Sequence, residues 1–378
     1  MLVRACQNSL DRHGILIGDQ WIPTGRTVKV DIPIDEEYWK KTSLMDKWRE
    51  HYKQAQENPD KRQTAFKCTA AILTFQAPSA IYVFFNYIIP YLFEDYDYWT
   101  QYTLKVIFVY IWIQEFLNYW MCYFYDTSIK KTRDNPDLPG LNQGWNHPPD
   151  HFTSRIDGLA ENGHIPNGHV TDDGFELKWC DKCEIFKPLR THHCKICKKC
   201  VLMRDHHCYI VGTCIGYKNQ RYFVVLTFYT VLVGLLFGYF QYRYLNLVYW
   251  PNATSWTDFV LPVTCYRWFM GTIPYRYNLM IYHLYIELFF GLVGFFFFTL
   301  QLSLIAKGKT MYEVAKEVPV RVSTSINSHF VSVFGNLWAL NFIFPMQLIL
   351  KQNGDGTKWN GVKIDRNSNY QDADLCRP

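Results

Sequence analysis

The chain has 378 residues, of which 49% are hydrophobic and 18% aromatic, with a formal net charge of +5. Mean hydropathy is slightly negative, a balance that suits a polytopic membrane protein with sizeable soluble parts. The positive charge is mild and gathers beside apolar segments, so it reads as membrane topology and phospholipid attraction and excludes nucleic acid as a partner.

In chain order, residues 1–66 read as a cytosolic arm, with a charged helix expected from Asp35 to Gln56. Residues 1–17 lack a continuous apolar core before a small-residue cleavage site, so no cleavable leader is expected and the first span serves as the targeting signal. Four segments approach the ~20 apolar residues that a bilayer requires, at about 69–92, 104–125, 222–245 and 279–305. The fold class expected is therefore an α-helical polytopic membrane protein with four transmembrane helices. The first pair lies within 67–126 and the second within 222–305, the latter pair flanking a lumenal loop at 247–278. Polar residues inside the spans, namely Gln76, Gln114, Glu115, His283 and Glu287, suit inter-helix hydrogen bonding better than an ion path.

Lys and Arg set the orientation. Lys40 to Arg62 and the run from Lys130 to Arg221 place the N-terminal arm, a linker at 127–178 and the segment 179–221 on the cytosolic side. The short acidic loop Glu94 to Asp97 and the loop near 247–278, which holds an Asn252-Ala253-Thr254 sequon, fall on the other side. Asp134 to Asp173 is rich in Pro, Gly, Asn and Asp and reads as loop, and residues 306–378 as a cytosolic C-terminal region. Within that region Phe330 to Leu350 is apolar but holds Asn336, Asn341 and Pro345, which suits a membrane-surface or packed segment.

Seven of the 12 cysteines and four histidines lie between Cys180 and Cys214. Cys180-x-x-Cys183, Cys194-x-x-Cys197 and Cys197-x-x-Cys200 are knuckles that let two thiolates grip one tetrahedral zinc. Cys197 can close a knuckle with Cys194 or with Cys200 but not with both, so two interleaved sites are expected. Six cysteines and two histidines would fill two Cys₃His sites, which leaves one cysteine over. Cys208 is the choice: it follows Asp205-His206-His207, and a nucleophilic thiolate needs a base and a carboxylate to orient that base. A disulfide framework is the poorer use of these cysteines, because the flanking sequence reads as cytosolic.

The run Cys180-x-x-Cys183, Lys187-Pro188-Leu189-Arg190, His193-Cys194, Cys197, Cys200, Asp205-His206-His207-Cys208, Cys214, Gly216, Asn219 and Phe223 resembles the cysteine-rich domain of the DHHC palmitoyltransferases, in a divergent branch. The resemblance implies that Cys180, Cys183, His193 and Cys200 hold one structural zinc in small β-hairpin knuckles, and Cys194, Cys197, His207 and Cys214 the other. It also implies Cys208 as the acylated nucleophile, His206 as its base and Asp205 as the orienting carboxylate, with His192 left out of the metal sites. The implied function is protein S-acyl transfer. A long acyl group would pass from palmitoyl-CoA through Cys208 to membrane-proximal cysteines of substrate proteins, on an endomembrane (Golgi or endoplasmic reticulum) with the active site cytosolic. Lys199, Arg204, Lys218 and Arg221 are candidates for coenzyme A phosphates, although solvated topology charges are the plainer reading.

Thr310-Met311-Tyr312-Glu313 resembles the family's Thr-Thr-x-Glu element with Met311 in place of its second Thr, and it equally fits an ordinary helix capping box. Val333-Phe334-Gly335 resembles a C-terminal motif of the family. The departure is at Tyr209-Ile210, where the family usually has Pro-Trp, so an aromatic wall beside the nucleophile is missing. The alternative function is a catalytically silent membrane zinc scaffold that recruits partner proteins; a metal transporter fits less well, because the cysteines lie outside the spans.

Overall fold

The structure is a computed structural model. It describes residues 59–129, 176–180, 182–183, 185–253, 255–349 and 361–364, together with 15–17, 20–22, 169–170 and positions 352, 354, 356 and 359. The charged helix expected at Asp35 to Gln56 and nearly all of the loop expected at Asp134 to Asp173 lie outside the described residues.

A small hairpin of β1 (Ile15–Ile17) and β2 (Gln20–Ile22) precedes the helices. Helix α1 (Pro59–Val83) continues through one widened turn at Phe84–Ile88 to Leu92. Helix α2 (Tyr98–Phe124) starts where the acidic loop supplies Asp97, whose carboxylate accepts from the backbone N–H of Trp99 and Thr100. Helix α3 (Gln220–Leu232) runs on through widened turns to Asn252, and helix α4 (Tyr275–Ala306) is 32 residues long. Helix α4 stops in a Schellman turn: Gly308 has φ +64°, and Gly308 N and Lys309 N donate to the carbonyls of Ile305 and Leu304.

Among the described residues, three helical stretches, Phe66–Leu92, Gln220–Asn252 and Tyr275–Ala306, are long and apolar enough to cross a membrane. They contain the first, third and fourth of the segments expected from the sequence. The second expected segment is helical and long enough, but its aromatic, amide and carboxyl residues, including buried Gln114, Glu115 and Asn118, leave it less apolar. Helix α2 packs along α3, and α3 packs along α4. At the α3–α4 crossing the backbones nearly touch, since a Cβ built on Gly234 would lie 2.7 Å from the Gly291 Cα.

The cysteine-rich region is a set of short antiparallel ladders. Strand β3 (His169–Val170) pairs with β4 (Glu176–Cys180), which pairs with β5 (Ile185–Pro188), so strand structure already begins inside the segment read as linker. Strands β6 (His192–Cys194) and β7 (Lys199–Val201) form one hairpin, β8 (His206–Cys208) and β9 (Thr213–Ile215) the next. Asn219 fastens this region to the helices. Its side chain accepts from Gly216 N and donates to the carbonyls of Cys122 and Cys214, and the residue is fully buried.

After α4, helix α5 (Met311–Ala315) and strand β10 (Val320–Val322) lead into helix α6 (Ile326–Phe334). Strand β11 (Val362–Ile364) pairs with β10. The apolar stretch Phe330 to Leu350 is broken at Gly335, where φ is +90°, and its remaining helical pieces are five and four residues long, far short of a span. It packs against the long helices: Tyr229 Oη donates to the Phe342 carbonyl at 2.9 Å, and Gln347 donates to Asn118 Oδ1 at 2.7 Å.

Gly234→Leu should force the α3–α4 crossing apart and cost about 1–3 kcal/mol, the usual range for overpacking. Thermal unfolding in detergent should show a lower Tm than wild type; an unchanged Tm would mean that the crossing is not so close.

Candidate active site and metal centres

Each hairpin presents its donors by alternation. In β6, His193 faces Cys200 of β7 in register, and in β8, His207 faces Cys214 of β9. The tight turn between β6 and β7 places Lys198 at φ +54°, with its N–H donating to the Cys194 carbonyl, and so folds Cys197 back toward Cys194.

The result is two groups, Cys180, Cys183, His193 and Cys200, and Cys194, Cys197, His207 and Cys214, with donor atoms all within 4.8 Å of one another in each. His193 Nδ1 lies 3.7, 3.1 and 4.0 Å from the sulfurs of Cys180, Cys183 and Cys200. His207 Nδ1 lies 3.9, 3.2 and 3.6 Å from those of Cys194, Cys197 and Cys214. A tetrahedral zinc with ordinary Zn–S and Zn–N bonds needs S···N edges of about 3.6 Å, so both donor sets could hold a metal ion. The two sites interleave along the chain, and Cys197 belongs to the group with Cys194. His192 is in neither; its ring is packed against Tyr312 at 4.2 Å.

Cys208 ends β8, buried, and its carbonyl accepts from Gly212 N, whose φ of +77° closes the turn to β9. A Cβ on Gly212 would lie 2.6 Å from the Phe66 ring, so the turn is held down by the start of the first span. Asp205, only 1% exposed, is bonded on all sides. Its Oδ1 accepts from Met311 N at 2.7 Å; its Oδ2 accepts from Gln301 Nε2 at 2.6 Å and from His206 Nδ1 at 2.8 Å. Gln301 is itself held by Gln220 Nε2 at 3.0 Å. With Nδ1 committed to Asp205, Nε2 is the nitrogen left to His206 for the sulfur. Burial works against a charged imidazole here, but the Asp205 bond and the Cys208 sulfur outweigh it and push the pKa up to about 9.

The His206 ring sits between Phe223 of α3 and Phe297 of α4, at 5.0 and 5.6 Å. Both rings line an apolar cavity that reaches Cys208 and takes walls from all four long helices, among them Leu73, Tyr119, Leu226 and Val293. Where the family's Pro-Trp would stand, Tyr209 packs edge-on against His207 at 5.0 Å, and the Ile210 carbonyl accepts from Tyr119 Oη at 3.1 Å. Ile210 still lines the cavity.

Thr310 and Glu313 do form a capping box, and they do more than that. The Glu313 carboxylate is clamped by Arg190 at 2.7 and 2.8 Å, both residues buried. Arg190 also donates to the Gly308 carbonyl at 2.9 Å. This pair fixes α5 against the cysteine-rich region and so aims Met311 N at Asp205. The capping signature was legible in the sequence, but Gln220 and Gln301 carried no signal there, since an amide becomes a partner of Asp205 only once the helices pack. Of the basic residues offered for phosphate, Arg204 donates to the His193 carbonyl at 2.9 Å, Arg221 is buried over the Tyr222 ring, and Lys199 pairs with Asp126 at 3.3 Å.

Arg190→Met should leave the Glu313 charge buried without its cation and cost about 3–5 kcal/mol. The double variant Arg190→Met, Glu313→Leu should recover most of that loss in thermal unfolding, and failure to recover would mean that the arginine acts mainly through other contacts.

Residues 174–318 match the family model described as DHHC palmitoyltransferase. The chain is similar to palmitoyltransferase ZDHHC22 of Danio rerio, with 33% identity over 179 residues, 46% of this chain and 64% of that protein. It is similar to probable protein S-acyltransferase 16 of Arabidopsis thaliana, 37% identical over 111 residues (29% of this chain, 34% of the relative). It is also similar to palmitoyltransferase ZDHHC3 of Rattus norvegicus, 40% identical over 86 residues (20% and 29%). The chain thus spans less than two thirds of the length of these curated relatives. Through the cysteine-rich region and the helices that flank it, the chain is similar to the DHHC palmitoyltransferase family.

Proposed function

We propose that the chain is a protein S-acyltransferase that moves a long acyl group from acyl-CoA through a thioester on Cys208 to cysteines of substrate proteins at the membrane surface. The observation that carries the reading is the meeting at one point of a buried thiol, an Asp205-supported imidazole and an apolar cavity walled by four helices. The names of the relatives, palmitoyltransferase and S-acyltransferase, agree with it.

In the first half-reaction the Cys208 sulfur gives its proton to His206 and attacks the acyl-CoA thioester carbonyl. The bond to the coenzyme A sulfur breaks, and that sulfur takes the proton from His206 as it leaves. In the second, His206 receives the proton of a substrate cysteine, whose sulfur attacks the acyl group on Cys208, and Cys208 leaves and is reprotonated. Asp205 keeps the imidazole oriented and offsets its charge in both. The cavity removes the acyl chain from water, a gain of about 0.8 kcal/mol per buried methylene.

Zinc in the two Cys₃His groups would supply structure only, since four protein donors leave no position open for substrate. We place α2 in the bilayer as a fourth span because it packs along α3 and walls the same cavity. The Lys and Arg distribution supports a cytosolic position for Cys208, and an endomembrane is the location that the resemblance implies.

Purified, zinc-replete protein incubated with labelled palmitoyl-CoA should acquire hydroxylamine-sensitive label that is lost in Cys208→Ser. Folded wild type without label would favour the silent zinc scaffold. Metal analysis should return two zinc ions per chain, falling to one in Cys200→Ser; one or none in wild type would remove the two-site assignment.

A further inference from the structure

The cavity that begins at Cys208 is not apolar throughout. Glu115 of α2 and Thr230 of α3 both line it, and their side chains meet at 2.9 Å. Glu115 is 5% exposed, and its second oxygen, Oε2, is buried with no hydrogen-bond partner. A buried, unpaired carboxyl oxygen is costly even for a neutral group. The other polar side chains in the lining are already used: Tyr119 Oη on the Ile210 carbonyl and Thr227 Oγ1 on the Val224 carbonyl. A second buried carboxyl, Glu287 of α4, bonds Gln241 through one oxygen and does not line the cavity.

The depth of this polar spot follows from helix geometry. Thr230 lies seven residues along α3 from Phe223, whose ring touches His206, so it is about 10 Å further in. An acyl chain attached at Cys208 would therefore pass Glu115 near its middle and not at its carbonyl end. A plain methylene there leaves Oε2 unsatisfied and adds apolar surface against a carboxyl group. A hydroxyl on the chain both donates and accepts, so it satisfies Oε2 whether the carboxyl carries a proton or not.

We infer that Glu115 and Thr230 form a polar subsite for the acyl chain, and that the chain's favoured acyl donor is a long-chain acyl-CoA bearing a mid-chain hydroxyl. This rests on the acyl-transfer reading and names the donor class for the same site. Discrimination of this kind is strong for a buried hydrogen-bonding group, because the plain chain strands the protein's polar atom.

The test is competition between two labelled acyl-CoA donors of equal length, one saturated and one with a mid-chain hydroxyl. The readout is the ratio of the two acyl groups on Cys208 of the full-length, zinc-replete protein. Wild type should favour the hydroxylated chain. Glu115→Leu should lower the ratio roughly tenfold, the worth of one buried hydrogen bond, and Glu115→Gln should keep most of it. Thr230→Val, which retains the shape, should lower it in the same direction and serves should the leucine variant not fold. A wild-type ratio favouring the saturated chain, or a ratio the same in all variants with Cys208 labelled, overturns the inference and leaves the acyl-transfer reading standing. No label from either donor in wild type removes that reading and the inference with it.

Discussion

A carboxylate taken out of water has to be bonded by whatever surrounds it, and Asp205 is almost completely out of water. Its three bonds come from three places: the helix start at Met311, the fourth long helix at Gln301 and the neighbouring His206. Each partner is held in turn. Gln301 depends on Gln220, and Met311 depends on the Thr310 cap and the Arg190–Glu313 clamp. The cysteine-rich region, α3, α4 and α5 are thus positioned against one another by the requirements of one side chain.

This explains why residues far apart in sequence bear on Cys208. An imidazole whose Nδ1 is fixed by a buried carboxylate has one nitrogen left and little freedom to turn. The Phe223 and Phe297 rings restrict it further and at the same time form the mouth of the cavity. The groups proposed to move the proton and the groups proposed to receive the chain are thereby the same few residues of α3 and α4, set by one packing arrangement.

The clusters that could hold metal act on a different scale. The hairpins β6–β7 and β8–β9 are three residues long on each side, too short to persist as isolated ladders. Ligation in place of a core is the physical means by which such short strands can be held at fixed spacing. Asn219 then transfers that order to the helices, because its amide bonds both the hairpin and the end of α2.

Much was legible in the sequence because it is written in local spacing. The cysteine knuckles, the capping pair Thr310 and Glu313, and the three strongly apolar spans all depend on residues a few positions apart, and hairpin and helix periodicity turn such spacing directly into geometry. The grouping of Cys197 with Cys194, which spacing alone left open, was decided by the register of β8 with β9, which brings His207 and Cys214 to the same point. Helix α2 was read with the other spans, yet its polar residues lower its apolarity, and only packing shows where they point: Asn118 to Gln347, Glu115 to Thr230. The amides around Asp205 had no sequence signature, and Glu115 stood out only as a polar residue within a span, because a glutamine or a glutamate in an apolar helix has the same letters whether it meets a neighbour, a lipid or a ligand. The sequence by itself determined the chemistry of the chain and its local elements; which long-range partners those groups would have was decided by tertiary packing, since burial is what obliges each polar atom to find one.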